Sequence, residues 1–384
     1  MKIVIAPNAF KNSLDAASAA AAIRAGLERS RLVADLLEFP VGDGGDGTAA
    51  LLVRHLGGHW VPADVHDPLG RTIPACVGLV DDGRTAIIEM ADASGLRLLQ
   101  PHEYDPLRTS SRGTGELIRK ALDLGAGQIL LCIGGSATVD GGMGILQALG
   151  ARFSDDQGAP LEATPLSGER MAGIDLADLD GRIFHTHLTI LCDVDNPLLG
   201  PHGAAHVFGP QKGAGPAAVS YLESVLSRLS QLVQQRTGKD IRSIKGGGAA
   251  GGVAACLQAI CNATLLGGAE YFLEKTRFDD ALRQADLVIT GEGSIDKQTL
   301  RGKGPWAVAS MAKARSIPVI GLAGNIPRDD DSDLGMLFDV LLPINSGGTL
   351  PAAALAGTRE NLFRTAYNLG NLISIAGLSA SNTR

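Results

Sequence analysis

Short β-branched runs that pass straight into glycine-rich or polar turns, and then into helix-compatible stretches, recur at both ends of this chain. No other feature limits its fold so strongly. Residues 2–6 (KIVIA) lead into the turn 7–13 and an alanine-rich helical stretch over residues 14–29. The unit repeats with an apolar run at 33–39, the loop VGDGGDG at 41–47 and a periodic stretch at 48–56. The last third offers a strand at 286–290, the loop GEGSID, a helix near 306–314, strands at 318–323 and 340–344, and a closing helix. Residues 60–89 differ: runs at 61–65, 73–79 and 85–89 are separated by Pro68, Gly70 and the pair Asp82-Gly83, the pattern of an antiparallel meander. The two ends resemble each other more than the middle. The expected class is therefore α/β with two domains. A parallel Rossmann-like or flavodoxin-like lobe would use residues 1–62 and 286–384, with a mixed α/β lobe of residues 63–285 inserted.

A chain of 384 residues exceeds the size at which one core keeps growing, which agrees with two domains. Its 50 glycines against only 4% aromatic residues imply many turns where backbone approaches backbone or ligand. A net charge of -7 without a concentrated basic stretch argues against nucleic acid or an anionic membrane as partner. The five cysteines form no CxxC pair and sit in apolar runs, so reduced buried thiols and a cytoplasmic location are expected. The first apolar run is too short for a signal peptide, and no stretch is apolar enough to span a membrane.

Backbone N–H groups at the start of a helix that follows a glycine-rich turn are natural anion cradles. A P-loop is absent, because neither Gly238-Lys239 nor Gly302-Lys303 is followed by Ser or Thr. Two segments fit GxGxxG, at Gly42, Gly44, Gly47 and at Gly246, Gly248, Gly251, and would suit a nicotinamide cofactor. In the first, Asp43 and Asp46 would repel a pyrophosphate unless a cation lay between them; the second lacks a preceding apolar strand. The segment GGSATVDGG, 134–142, is either an ordinary strand-to-helix turn or a ligand loop, and its dense glycines favour the ligand. In CDVDNPLLG, 192–200, Asp193 and Asp195 fall on one side of an extended strand end, where they could hold Mg²⁺, supply a base, or simply form a turn before Asn196-Pro197. Lys11, Arg112, Lys212, Lys297 and Lys303 are the basic residues in loops, and Lys11 and Arg112 could meet anions at helix starts. The pairs His185/His187 and His202/His206 lack a third ligand in a recognisable metal pattern.

Taken in order, APNAFKNSL, VGDGGDGT, ADASGL, SSRGTGELI, GGSATVDGG, CDVDNPLLGP, FGPQKGA, GGGAAGG and TGEGSIDKQT resemble the signature loops of the bacterial glycerate kinase family. Each loop alone is weak; the ordered set is specific. The sequence departs from the family's usual DSFKGS at Asn8, Ala9 and Asn12, from GGEGT at Asp46, and at Val139 where Asn is common. The resemblance implies Mg²⁺-assisted transfer of the ATP γ-phosphoryl group to D-glycerate, the 2-phosphate being favoured, on two α/β domains.

On that resemblance, Asp195 and Asp193 are expected as base or metal ligands, and Lys11 as the group neutralising the transferring phosphoryl. Asp43, Ser111, Arg112 and Ser136 are expected on the substrate, and Gly134, Gly135, Gly291, Gly293, Asp296 and Lys297 on the nucleotide. The competing expectations are an NAD-dependent hydroxyacid dehydrogenase and a non-catalytic hydroxyacid-binding protein.

Overall fold

The computed structural model describes residues 1–296, 302–326, 332–345 and 355–381. It divides into two compact units, Met1–Asp43 with Gly268–Arg384, and Gly44–Gly267.

The first unit is built on a five-stranded, wholly parallel sheet in the order Val340–Pro343, Val319–Asn325, Leu287–Ser294, Lys2–Ile5, Asp35–Glu38. Its central strands are continuous runs of Ile, Val and Leu with no exposed face, as a sheet covered on both sides requires. Ile3, Val4 and Ile5 pair with Leu287, Val288 and Ile289, joining segments from opposite ends of the chain. The helix Ala16–Arg29 starts where Asp15 accepts from Ser18 N at 2.8 Å and buries Ala19, Ala20, Ile23 and Leu27. It packs on the closing helix Thr358–Ser381, and Gly26 permits the approach, because a Cβ there would overlap the Phe363 carbonyl oxygen. From Lys2–Ile5 the chain moves to Asp35–Glu38 on one side, whereas Leu287–Ser294 on the other side leads away to the remaining strands. The strand order thus reverses between Lys2–Ile5 and Leu287–Ser294, the place where open α/β sheets leave a crevice at the carboxyl ends of their strands.

The second unit carries a six-stranded mixed sheet in the order Thr264–Leu266, His187–Leu191, Gln128–Cys132, Thr85–Glu89, Thr72–Val80, His59–His66. The first four strands are parallel, and the last three form the antiparallel meander expected over residues 60–89. A small antiparallel sheet of Arg152–Ser154, Pro160–Leu161 and Gly173–Asp175 lies beside it. The parallel lobe and the mixed lobe therefore both appear.

Two expectations need correction. The unit edges fall at Asp43/Gly44 and Gly267/Gly268, displaced from 62/63 and 285/286. The helix Thr48–His55 packs on the mixed sheet, so close to Gly78 of the strand Thr72–Val80 that a Cβ there would overlap Val53. Phe278, after the second boundary, stacks edge-on against Phe39 with ring centroids 4.9 Å apart, which ties that segment to the first unit. The second correction concerns GEGSID. The strand Leu287–Ser294 does not stop at Thr290, since Gly291, Glu292 and Ser294 pair with Leu322, Ala323 and Asn325. Gly291 is required there for packing, because a Cβ would overlap the Leu322 carbonyl oxygen.

Among the described residues, no helix is long and apolar enough to cross a membrane.

Candidate active site

In the first unit, the turn after Lys2–Ile5 runs beside the long central strand, and Asn8 N donates to the Gly291 carbonyl at 2.8 Å. Asn8 is thereby fixed where the strand order reverses. Its side-chain amide donates to Asp43 Oδ2 at 2.6 Å, while its own oxygen accepts from Ala9 N at 2.7 Å. Lys11 lies exposed on the tight turn that follows, closed by Phe10 N donating to Leu14 O at 2.8 Å. Asn12 adopts φ +61° in that turn, the left-handed region that glycine favours and Asn tolerates, so the change from the usual glycine leaves the turn intact. Gly293 faces the same turn; a Cβ there would come 3.5 Å from Lys11 N. Lys11, Asp43, Gly291 and Gly293 are thus brought to one end of one sheet. Asp296 accepts from Ser294 Oγ at 3.2 Å just beyond it, and Lys297 lies outside the described residues.

In the second unit, the loops 44–47 and 134–142 mesh backbone to backbone. Gly134 N donates to Gly44 O at 3.0 Å, and side chains at Gly134 or Gly135 would strike Gly45 and the Asp46 carboxylate. Glu89, at the end of the strand Thr85–Glu89, accepts from Gly47 N at 2.7 Å and Ala49 N at 3.2 Å, doing for the helix Thr48–His55 what its glycine N-cap cannot. Burial, with the charges of Asp92 and Asp46 added, pushes the Glu89 carboxyl up to about 7.

Ser136, itself buried, is held by Lys212, whose Nζ donates to Ser136 Oγ at 2.8 Å and to the Thr138 carbonyl at 2.7 Å. Lys212 is buried, and that burial pushes its ammonium down to about 7 against the opposing pull of Asp140. The Thr138 hydroxyl is buried without a hydrogen-bond partner. The loop ends on Asp140, fully buried, which accepts from Ser111 N, Ser111 Oγ, Gly142 N and Gly144 N at 2.7 to 3.2 Å. Burial raises its carboxyl despite these four donors.

Ser111 has no exposed surface, and its hydroxyl also accepts from Ile145 N at 3.1 Å, so it braces the loop from within. Arg112 lies along its own helix, Nε donating to Glu116 Oε1 at 3.0 Å, beside the His66 ring that the same carboxylate also holds. The second GxGxxG segment is explained by packing: Gly248 N donates to Asn196 O at 2.9 Å, and a Cβ at Gly248 or Gly251 would overlap the carbonyl oxygen of Pro197 or Thr138.

Asp193 and Asp195 lie in the loop that follows the strand His187–Leu191, Asp193 half-buried and Asp195 exposed. Asp195 Oδ1 stands 3.2 Å from Lys245 Nζ. Among the described residues no group of three or more His, Cys, Asp or Glu side chains is arranged to hold a metal. Two carboxylates suffice for Mg²⁺ when phosphate oxygens and water complete its shell, so this donor set fits a cation that arrives with a nucleotide. Cys192 next to them is no nucleophile, its thiol pushed up to about 11 by burial. A cavity of about 460 Å³ on the first unit's helices is lined by Leu273, Trp306, Ser310 and Met311.

Sequence reasoning missed Glu89, Lys212 and Asp140 as parts of these sites. A carboxylate closing an apolar strand and a lysine inside FGPQKGA were legible signals for the first two.

Glycine-lined strand ends that carry cations and carboxylates define an α/β protein built to handle phosphorylated or otherwise anionic small molecules. Comparison narrows the class. The glycerate kinase family matches residues 3–374. The glycerate kinase of Bacillus subtilis (strain 168) is 43% identical over 376 residues, covering 98% of each chain. The glycerate 2-kinase of Escherichia coli (strain K12) is 41% identical over 379 residues, again 98% of each. A crystal structure from Salmonella typhimurium LT2, provisionally named glycerate kinase 2, superposes with a TM-score of 0.80 at 44% identity over 100% of both chains. This chain belongs to the glycerate kinase family. The nicotinamide-dependent alternative finds no support among these relatives.

Proposed function

We propose that this protein transfers the γ-phosphoryl group of ATP to a hydroxyl of D-glycerate, releasing ADP and phosphoglycerate. The carrying observation is that a glycerate kinase family match runs over residues 3–374 of a chain whose parallel sheet ends in glycine-lined turns bearing Lys11, Asp43 and Asn8. The name of the Escherichia coli relative supports the 2-phosphate as product.

Phosphoryl transfer asks chiefly for in-line positioning and charge neutralisation, which fixed amides and cations supply. The glycerate hydroxyl oxygen attacks the γ-phosphorus, the bond to the β,γ-bridging oxygen breaks, and the hydroxyl proton passes to a carboxylate, here Asp195 or Asp193. Lys11 offsets the charge spread over the transferring group; its exposure leaves it available to a ligand. Gly291, Gly293 and Asp296, with Lys297, are assigned to the nucleotide, and so is the amide of Gly135; the Gly134 N–H is already given to Gly44 O, so Gly134 is assigned there for the close backbone approach it permits. Ser136 and Asp43 are assigned to substrate. Ser111 is reassigned to bracing the 134–142 loop, and Arg112 reaches a carboxylate only by leaving Glu116. Mg²⁺, held by Asp193 and Asp195, would screen the β- and γ-phosphate oxygens. None of the five cysteines forms a disulfide, in keeping with a reducing, ATP-containing cytoplasm.

The test is an ADP-release assay on the purified chain with D-glycerate, L-glycerate and other small hydroxyacids, with ³¹P NMR identifying the product. Activity on D-glycerate well above the others is expected; ADP release that ignores glycerate would sink the proposal.

A further inference from the structure

We propose that Lys212 is a positioning residue that sets the hydrogen-bond polarity of Ser136, turning its hydroxyl into a donor toward an anionic group of the substrate. The inference rests on the reading of the 134–138 loop as a substrate contact. A serine hydroxyl has one proton and two lone pairs. When ammonium Nζ donates to one lone pair at 2.8 Å, the Ser136 proton must be spent elsewhere. The other Lys212 contact, to the Thr138 carbonyl at 2.7 Å, is also a donation, so Nζ gives two of its three protons to this one loop. A neutral Lys212 could instead accept from Ser136 and leave it facing the ligand as an acceptor, which repels a carboxylate or phosphate oxygen.

The burial of Lys212 makes that choice responsive to the ligand. The side chain is 3% exposed and, among the described residues, makes no ion pair with a carboxylate; Asp140, on the loop that carries Ser136, is the charged group that acts on it, and is itself occupied by four donors. Lys212 reaches the loop from the turn 210–212, where Gly213, at φ +102°, lies tight against the Tyr104 carbonyl oxygen and leaves the chain little room to retreat. With the ammonium pushed down to about 7, the free protein near neutrality holds Lys212 as a mixture of charged and neutral forms. An anion arriving at Ser136 selects the charged form, so binding takes up protons. The selected form is lost as pH rises, and glycerate binding weakens above about pH 7 for that reason.

The experiment combines calorimetry on the wild type with kinetics of variants. D-glycerate is titrated into wild-type protein at pH 7.5 in buffers of different ionisation heat, and uptake of a substantial fraction of a proton is expected. In the kinetics, kcat/KM of the wild type falls tenfold per pH unit on the alkaline side. Lys212→Met abolishes that limb and raises KM for glycerate by about tenfold or more with a smaller change in kcat. Lys212→Arg retains the charge, moves the limb out of the measured range and recovers much of the affinity. An active wild type that binds glycerate with no proton uptake overturns the role of Lys212 while leaving the proposed reaction standing, and this arm needs no variant to fold. A Lys212→Met enzyme that melts like the wild type and keeps both its KM and the alkaline limb overturns it equally. A wild type that never phosphorylates glycerate overturns the reaction and the inference together.

Discussion

The Asn8 side chain donates to Asp43 Oδ2 at 2.6 Å where the strand order of the first unit reverses. The family pattern usually places aspartate at the first of these positions. Here an amide meets a carboxylate, so a single negative charge is hydrogen-bonded without a second one to repel it. Asn8→Asp would put two carboxylates in contact, and they cannot both ionise without a cation. The variant's pair acquires one raised pKa, so its loss of stability is small near pH 4 and grows to about 1–3 kcal/mol as pH rises through that value. Thermal melts in EDTA and in excess Mg²⁺ check this: Mg²⁺ should restore the variant far more than it shifts the wild type.

Lys11 is exposed and bears no packing load, so its removal separates chemistry from folding. Lys11→Ala is expected to lower kcat by about 10²-fold while the melting temperature stays within a degree or two of wild type. Steady-state kinetics with unchanged turnover would remove Lys11 from the mechanism.

Glu89 gives a pH signature. Its folded-state value of about 7 lies above the value for an unfolded chain, so its contribution to stability is complete at acid pH and is lost as pH rises through 7. The loss reaches about 3 kcal/mol at most. Urea midpoints should therefore decline between about pH 4.5 and 7 in the wild type, and Glu89→Gln, neutral throughout, should flatten that decline. Parallel curves for the two proteins would refute this account of the carboxyl.

Gly291 sits in a paired strand without room for a side chain. Gly291→Ala must push the strand off Val319–Asn325 and should cost about 1–3 kcal/mol, a drop of several degrees in melting temperature. The control is Gly127→Ala, where a Cβ meets nothing within 4 Å. Equal melting temperatures for the two variants would be inconsistent with the crowding at Leu322.

Asp195 pairs with Lys245 across 3.2 Å, both side chains more than half exposed, so the pair adds little stability. Asp195→Asn should reduce turnover at every Mg²⁺ concentration, and Lys245→Ala should lower the Mg²⁺ needed for half-maximal rate by removing a competing cation. A magnesium titration of kcat for both variants decides it; near-normal activity of Asp195→Asn at saturating Mg²⁺ would count against both of its assigned roles.

The sequence by itself determined the local elements and the class they add up to. An Ile- and Val-rich run closed by a turn, or an alanine stretch begun by Asp15, is written in consecutive residues, and steric and capping preferences read it without help from the rest of the chain. The ordered signature loops likewise pointed to the family. Tertiary structure alone decided what those loops are for. GEGS looked like a turn because glycine usually makes one, and became strand because a segment 31 residues further on supplies a parallel partner. Ser111 turned inward because Asp140 needed its hydroxyl. Lys212 and Ser136 are 76 positions apart, and no local preference encodes the burial that couples them. Burial and hydrogen-bond commitment depend on groups distant in sequence but adjacent in space, which is why the roles of these side chains emerge only once the sheets have assembled.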